Sequence, residues 1–219
     1  MPATFTIGEC VRFGWKTFWS RPGLFIGAFV LVTLADIIVR WVANVLGAHP
    51  DVFGVVGGIV SVVVMIGGSA LVSMAGVSFS LHAHDAPLNV TLADLKPRLD
   101  RFWHYLGVMI LGTIAVVLGL VLLIIPGLFV IASFAFMYYV VIEKNLGSVA
   151  AIKESIRITK GHRLRILGLF LTFVLLNILG AIAILVGLLV TIPVTTFAIV
   201  HAYRILGGGQ ETLPLVQAE

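Results

Sequence analysis

Charge is scarce in this chain. Lys and Arg number 14 and Asp and Glu 10 among 219 residues, 11% in all, where soluble domains carry about a quarter. Too little solvating surface remains for an ordinary soluble domain. Cysteine is all but missing. Cys10 stands alone, which excludes an intrachain disulfide and any multi-cysteine metal site. Two-residue alternation is absent from the apolar runs, and with it the signature of β-barrel strands. No nucleophile-base-acid arrangement, phosphate-binding loop or paired-carboxylate motif appears, so no cofactor and no enzymatic activity are expected.

What is present is apolar length. The chain is 60% hydrophobic, with a mean hydropathy of +1.13, and a helix needs about 20 apolar residues to cross the hydrocarbon core. Six such spans are read, at about 23–46, 52–81, 105–125, 128–142, 164–186 and 188–206. The stretch from Leu164 to Leu206 is divided near Gly187, and Pro193 falls inside the sixth span. Pro126-Gly127 is read as the turn between the third and fourth spans, and 207–219 as a short polar tail. The expected fold is an all-α polytopic membrane helix bundle in three hairpins. The first apolar run is span-length and lacks a small-residue cleavage pattern, so it reads as retained rather than as a removable signal.

Basic residues set the expected orientation. Arg12, Lys16 and Arg21 precede the first span, Lys96, Arg98 and Arg101 lie between the second and third, Lys144 through Arg165 between the fourth and fifth, and Arg204 ends the sixth. All fall on one side; Arg40 alone lies in the outer half of a span. By the positive-inside rule both termini are cytoplasmic, in a bacterial inner membrane. The net charge of +4 reads as basic loops beside an anionic leaflet, not as a nucleic-acid footprint.

Three segments approach the membrane alike: 4–22, 88–103 and 146–161, each expected to be an amphipathic interfacial helix. The third opens the stretch LGSVAAIKESIRITKGHRLRILG, 146–168, where five of the basic residues gather. At 100° per residue Val149, Ile152 and Ile156 share one face, and Lys153, Arg157 and Lys160 form a basic stripe beside it. Trp15, Trp19 and Trp103 mark the first two segments, and Trp is enriched at membrane interfaces. The lipid-headgroup candidates are therefore Arg12, Lys16, Arg21, Lys153, Arg157, Lys160, Arg163 and Arg165, and the expected partners are membrane lipids, anionic ones first. The three units suggest a repeat; amphipathic basic loops common to any polytopic protein are the plain alternative.

Within the spans, Asp36 and Arg40 are four apart and able to pair, either as an ion or headgroup site or as a salt bridge near the outer surface. Asn177 sits inside the fifth span, where an interhelical hydrogen bond or a substrate contact would use it. His82, His84 and Asp85, with His104 as a further candidate, look like metal ligands, but a solvated loop beside Pro87 explains them more simply. His201 either titrates or faces headgroups. The second span is rich in small residues, among them Gly54 and Gly58 four apart. It offers either packing within the bundle or a homo- or hetero-oligomer interface.

One resemblance spans most of the chain. Ile125-Pro126-Gly127, Glu143, Gly147, Ala150-Ala151, Ser155, Lys160-Gly161, the opening FTIGECVRFGWKTFW and the closing Pro193…Tyr203-Arg204 resemble bacterial integral membrane proteins related to the membrane domain of glycerophosphoryl diester phosphodiesterases, the YciC-like proteins among them. That resemblance implies the membrane fold and supplies no catalytic residues. In some relatives a soluble phosphodiesterase domain is attached, and this chain has no room for one. The functional expectation is a non-enzymatic inner-membrane protein acting through lipid contact or as a partner subunit. A small transporter or channel is the alternative, and a lipid-acting enzyme comes third.

Overall fold

A computed structural model describes residues 5–48, 50–122, 124–182 and 187–207. Nine α-helices and two short 3-10 turns make up these residues, with no strand among them. The helices are α1 (Ile7–Ser20), α2 (Pro22–Ala48), α3 (Pro50–Asp85), α4 (Phe102–Leu122), α5 (Ile124–Ser133), α6 (Met137–Lys144), α7 (Ser148–Thr159), α8 (Arg163–Ile182) and α9 (Leu188–Leu206). Six segments are long and apolar enough to cross a membrane: α2, α3 from Gly54, the stretch into α4, α5 with α6, α8 and α9. The protein is an all-α polytopic bundle.

Local chemistry sets the helix ends. Thr6 and Glu9 form a reciprocal capping box that starts α1, satisfying two donors the first turn leaves open. Pro22 opens α2, where its missing N–H costs nothing. Asn145, in the left-handed region at φ 51°, ends α6, and Gly161 at φ 86° separates α7 from α8, a conformation glycine adopts without steric cost. Half of the apolar stretch of α5–α6 is buried, against 11% in α2 and in α3. The former is thus an inner element, and the α2–α3 hairpin lies at the periphery.

Several boundaries differ from the sequence reading. Residues 88–103 form no interfacial helix. Pro87 and Pro97 cannot donate, and only two 3-10 turns, Leu92–Asp94 and Leu99–Arg101, form before α4 starts at Phe102. The Arg21 guanidinium donates to the Leu88 and Val90 carbonyls at 3.0 and 2.9 Å and holds this segment in place. Pro126-Gly127 is not a turn either; both residues lie in the first turns of α5, and Gly127 packs against the backbone of Leu120. α3 continues to Asp85, so His82, His84 and Asp85 end a helix instead of sitting in a loop. The fourth span is broken at 134–136 into α5 and α6. The polar residues 47–51 between the first two spans are helical up to Ala48 and again from Pro50; His49, the last residues of the fifth span (183–186) and the tail beyond 207 lie outside the described residues.

Candidate functional site

Three helix ends meet at the end of the bundle that holds 13 of the 14 basic residues, all but Arg40. The last turn of α3 brings His84 and Asp85, the last turn of α6 brings Glu143, and the end of α9 brings His201, Tyr203 and Arg204. Arg204 bridges the two carboxylates. One terminal nitrogen bonds Asp85 Oδ2 at 2.5 Å, the other bonds Glu143 Oε1, and the Tyr203 hydroxyl donates to Glu143 Oε2. Arg204 Nε is buried without a partner. Below them Tyr203 is fully buried, stacked on Tyr139 and tilted against Phe136.

A second line of contacts leaves Asp85. Its Oδ1 lies 3.1 Å from His84 Nδ1, and His84 Nε2 lies 3.1 Å from His201 Nδ1. With both rings neutral only one proton arrangement satisfies every contact. His84 Nδ1–H donates to Asp85, His201 Nδ1–H donates to His84 Nε2, and His201 Nε2 keeps its lone pair. Phe13 of α1 stacks on the His201 ring at 4.0 Å, nearly parallel. The three side chains therefore form a short hydrogen-bonded chain that ends at the free lone pair of His201 Nε2. With neutral imidazoles the cluster carries a net charge of −1, from two carboxylates and one guanidinium. Each carboxylate is committed to a cation, so neither stands as an available nucleophile.

Beside this cluster, α7 closes the break in the fourth span. The Ser155 hydroxyl donates to the Ser133 carbonyl at 2.8 Å and accepts from the Phe136 N–H at 3.3 Å. Thr159 bonds the Ser155 carbonyl at 2.9 Å. Backbone groups exposed by an interrupted span need such partners, because lipid offers none. The face of α7 turned to the bundle is thus Ala151, Ser155, Ile158 and Thr159. Val149 stays exposed and Ile152 and Ile156 half-buried. The apolar face and basic stripe expected from periodicity exist, but a third, hydroxyl-bearing face does the docking. Glu154 binds Lys144 and Arg157, each at 2.7 Å. These contacts, the Arg157 hydrogen bonds first, hold its carboxyl down at about 2.

The headgroup candidates therefore separate. Arg12 and Lys16 share one exposed face of α1 with Trp15 and Trp19, at spacings of i, i+3, i+4 and i+7. Lys153, Lys160 and Arg165 are exposed, and Arg163 is half-buried. None of these six has an acidic partner among the described residues. Arg157 is spent on Glu154, and Arg21 on backbone carbonyls.

Asp36 and Arg40 pair at 2.6 Å, and Ser69 donates to Asp36 at 3.1 Å. Asn177 lies in a groove between α5 and α8, its side-chain oxygen buried and unpartnered. His82 sits 3.9 Å from Asp94, while the His104 carbonyl accepts from Ser148. Among the described residues no group of three or more His, Cys, Asp or Glu is placed to hold a metal ion. In the second span Gly68 packs closely on Val39, whereas Gly54 and Gly58 face open space. Sequence reasoning missed the Asp85–Arg204–Glu143 bridge; the one available signal was a charge ending each of three spans. No protein-family model matches this chain, and no curated protein or solved structure matches it.

Proposed function

We propose that this is a non-enzymatic protein of a bacterial inner membrane, with both termini cytoplasmic, that gathers anionic lipid around its basic end and so acts through lipid contact or as a subunit beside a partner. One observation carries the reading: Trp15, Trp19 and the unpaired Arg12 and Lys16 on one exposed face of α1, with unpaired Lys153, Lys160 and Arg165 at the same end. Trp rings seat at the headgroup level, and each nearby cation contributes about 1 kcal/mol of attraction to an anionic leaflet. The resemblance to the phosphodiesterase membrane-domain proteins belongs to this proposal. Its Glu143, Tyr203 and Arg204 meet in one structural cluster, which supports a scaffolding role for them.

The test is native mass spectrometry from vesicles of mixed phosphatidylglycerol and phosphatidylcholine. Changing Lys153, Lys160 and Arg165 together to Gln should cut retained phosphatidylglycerol by at least tenfold at low salt, with the protein still inserted. Equal retention of both lipids by the unaltered protein would sink the reading. A small transporter is the second reading, favoured by the interrupted fourth span and the Asp85–His84–His201 chain. A pH gradient across reconstituted vesicles that collapses with the native protein, and not with His201→Gln, would favour it.

A further inference from the structure

Between α2, α3, α6 and α9 the bundle leaves a cavity of about 200 Å³. Four of its lining residues carry hydroxyls, Ser73, Ser80, Tyr139 and Thr196, and none carries a charge. The Ser80 hydroxyl donates to the Val77 carbonyl and the Thr196 hydroxyl to the Ile192 carbonyl, each at 2.9 Å. Ser73 shares a hydrogen bond of 2.7 Å with Tyr105. Each of these oxygens keeps a lone pair for a further donor. Tyr139 differs. It is 8% exposed, its hydroxyl bonds no described residue, and the oxygen is not sealed by its own chain. It opens to the space its side chain lines.

These walls define the occupant. They offer one free donor, the Tyr139 O–H, and several acceptors. An acyl chain brings neither and would leave the phenol unpaired in hydrocarbon, which is costly. An ion would find no counter-charge. Water donates and accepts, and at about 30 Å³ per molecule several fit among these partners. Along α3, Ser80 and Ser73 stand 5 and 12 residues before Asp85, about 8 and about 18 Å at a rise of about 1.5 Å per residue. We infer that the cavity is an aqueous pocket, a cluster of bound water reaching from near the basic end past the middle of a hydrocarbon core about 30 Å thick. At its deep end Ser73 lies one helical turn from Ser69, which donates to Asp36 at 3.1 Å. The pocket thus gives the Asp36–Arg40 pair a polar neighbour on its inner side. None of the four hydroxyl residues belongs to the basic lipid-facing surface or to the Asp85–His84–His201 chain.

Thiol chemistry tests this, because a cysteine reacts as the thiolate and a thiolate needs water. Methyl methanethiosulfonate is small and uncharged, so it reaches lipid-facing and water-facing positions alike. In a Cys10→Ser background, Thr196→Cys and Gly76→Cys should react about tenfold faster than Leu31→Cys, the added mass being read on the intact protein. Leu31 is an exposed position of α2, and a Cβ at Gly76 meets only Val32, at 3.7 Å. Adding Tyr139→Phe should slow Thr196→Cys about threefold, as water loses a partner, and leave Leu31→Cys unchanged. Rates at Thr196 and Gly76 no faster than at Leu31 overturn the proposal, because the cavity is then dry or filled by an acyl chain. A Thr196→Cys rate that Tyr139→Phe leaves unchanged overturns it too, because the phenol then holds no water.

Discussion

α1 and α7 look alike as sequence and are held to the bundle by opposite means. Both are short, amphipathic and basic on the outer face. α1 lies on α9 through shape: Gly14 rests so close to the Val194 carbonyl that even a methyl group would meet it at 2.2 Å, with Cys10 and Phe18 buried beside it. α7 is held by hydroxyls that complete the backbone of a broken span. Inside a membrane the hydrophobic effect drives little helix association, so close packing and hydrogen bonding are the two remaining routes. Each helix uses mainly one of them.

That contrast predicts which substitutions each helix tolerates. The largest effect should come from Gly14→Val, which forces side-chain atoms into the Val194 backbone and should cost about 3 kcal/mol. It should dislodge α1 while leaving the six spans inserted, read as a lowered unfolding midpoint in detergent titration and new protease cleavage before Pro22. A Gly14→Val protein with unchanged stability would mean that α1 is merely lying on the lipid surface.

Ser155→Ala should come next. It removes no volume that matters but strands the buried Phe136 N–H and leaves the Ser133 carbonyl with only the longer Thr159 hydroxyl contact at 3.4 Å, at about 2 kcal/mol. Hydrogen exchange should rise locally at residues 134–137 more than anywhere in α1. Ser155→Thr, which keeps the hydroxyl, should recover part of the loss. If Ser155→Ala proves neutral, α7 is held by its apolar contacts and the contrast collapses.

The spans were legible because apolar length is a local property of the sequence, and so was the amphipathic character of α1 and α7. Their docking was not. Ser155 and Thr159 read as ordinary polar positions until the break at 134–136 supplies something for them to bond. The segment at 88–103 misled because its basic residues and Trp103 match the other two segments, while Pro97 forbids the helix that the match suggests. The Asp85–Arg204–Glu143 bridge joins residues separated by 119 and 61 positions, which no periodicity reports. Asn177 was recognisable as a residue seeking a partner, but not that its own chain leaves it without one.

The smallest expected effect concerns pH and sharpens the account of α7. Glu154 sits between Arg157 and Lys144, and its folded carboxyl is lowered from an ordinary value near 4.5 to about 2. A lowered carboxylate contributes stability that is fully present above the ordinary value and lost as pH falls through the folded one. The window is therefore from about 4.5 down to about 2, with no change between 7 and 5. At this exposed rim the contribution should stay under about 1 kcal/mol. Exchange protection of α7, corrected for the intrinsic pH dependence, should decline across that window in the native protein and stay flat in Glu154→Gln. The same change releases Arg157 and Lys144 towards headgroups, so Glu154→Gln should retain more phosphatidylglycerol than the native protein at neutral pH. If retention does not rise, those two cations face away from the lipid, and the outer face of α7 is narrower than its basic stripe implies.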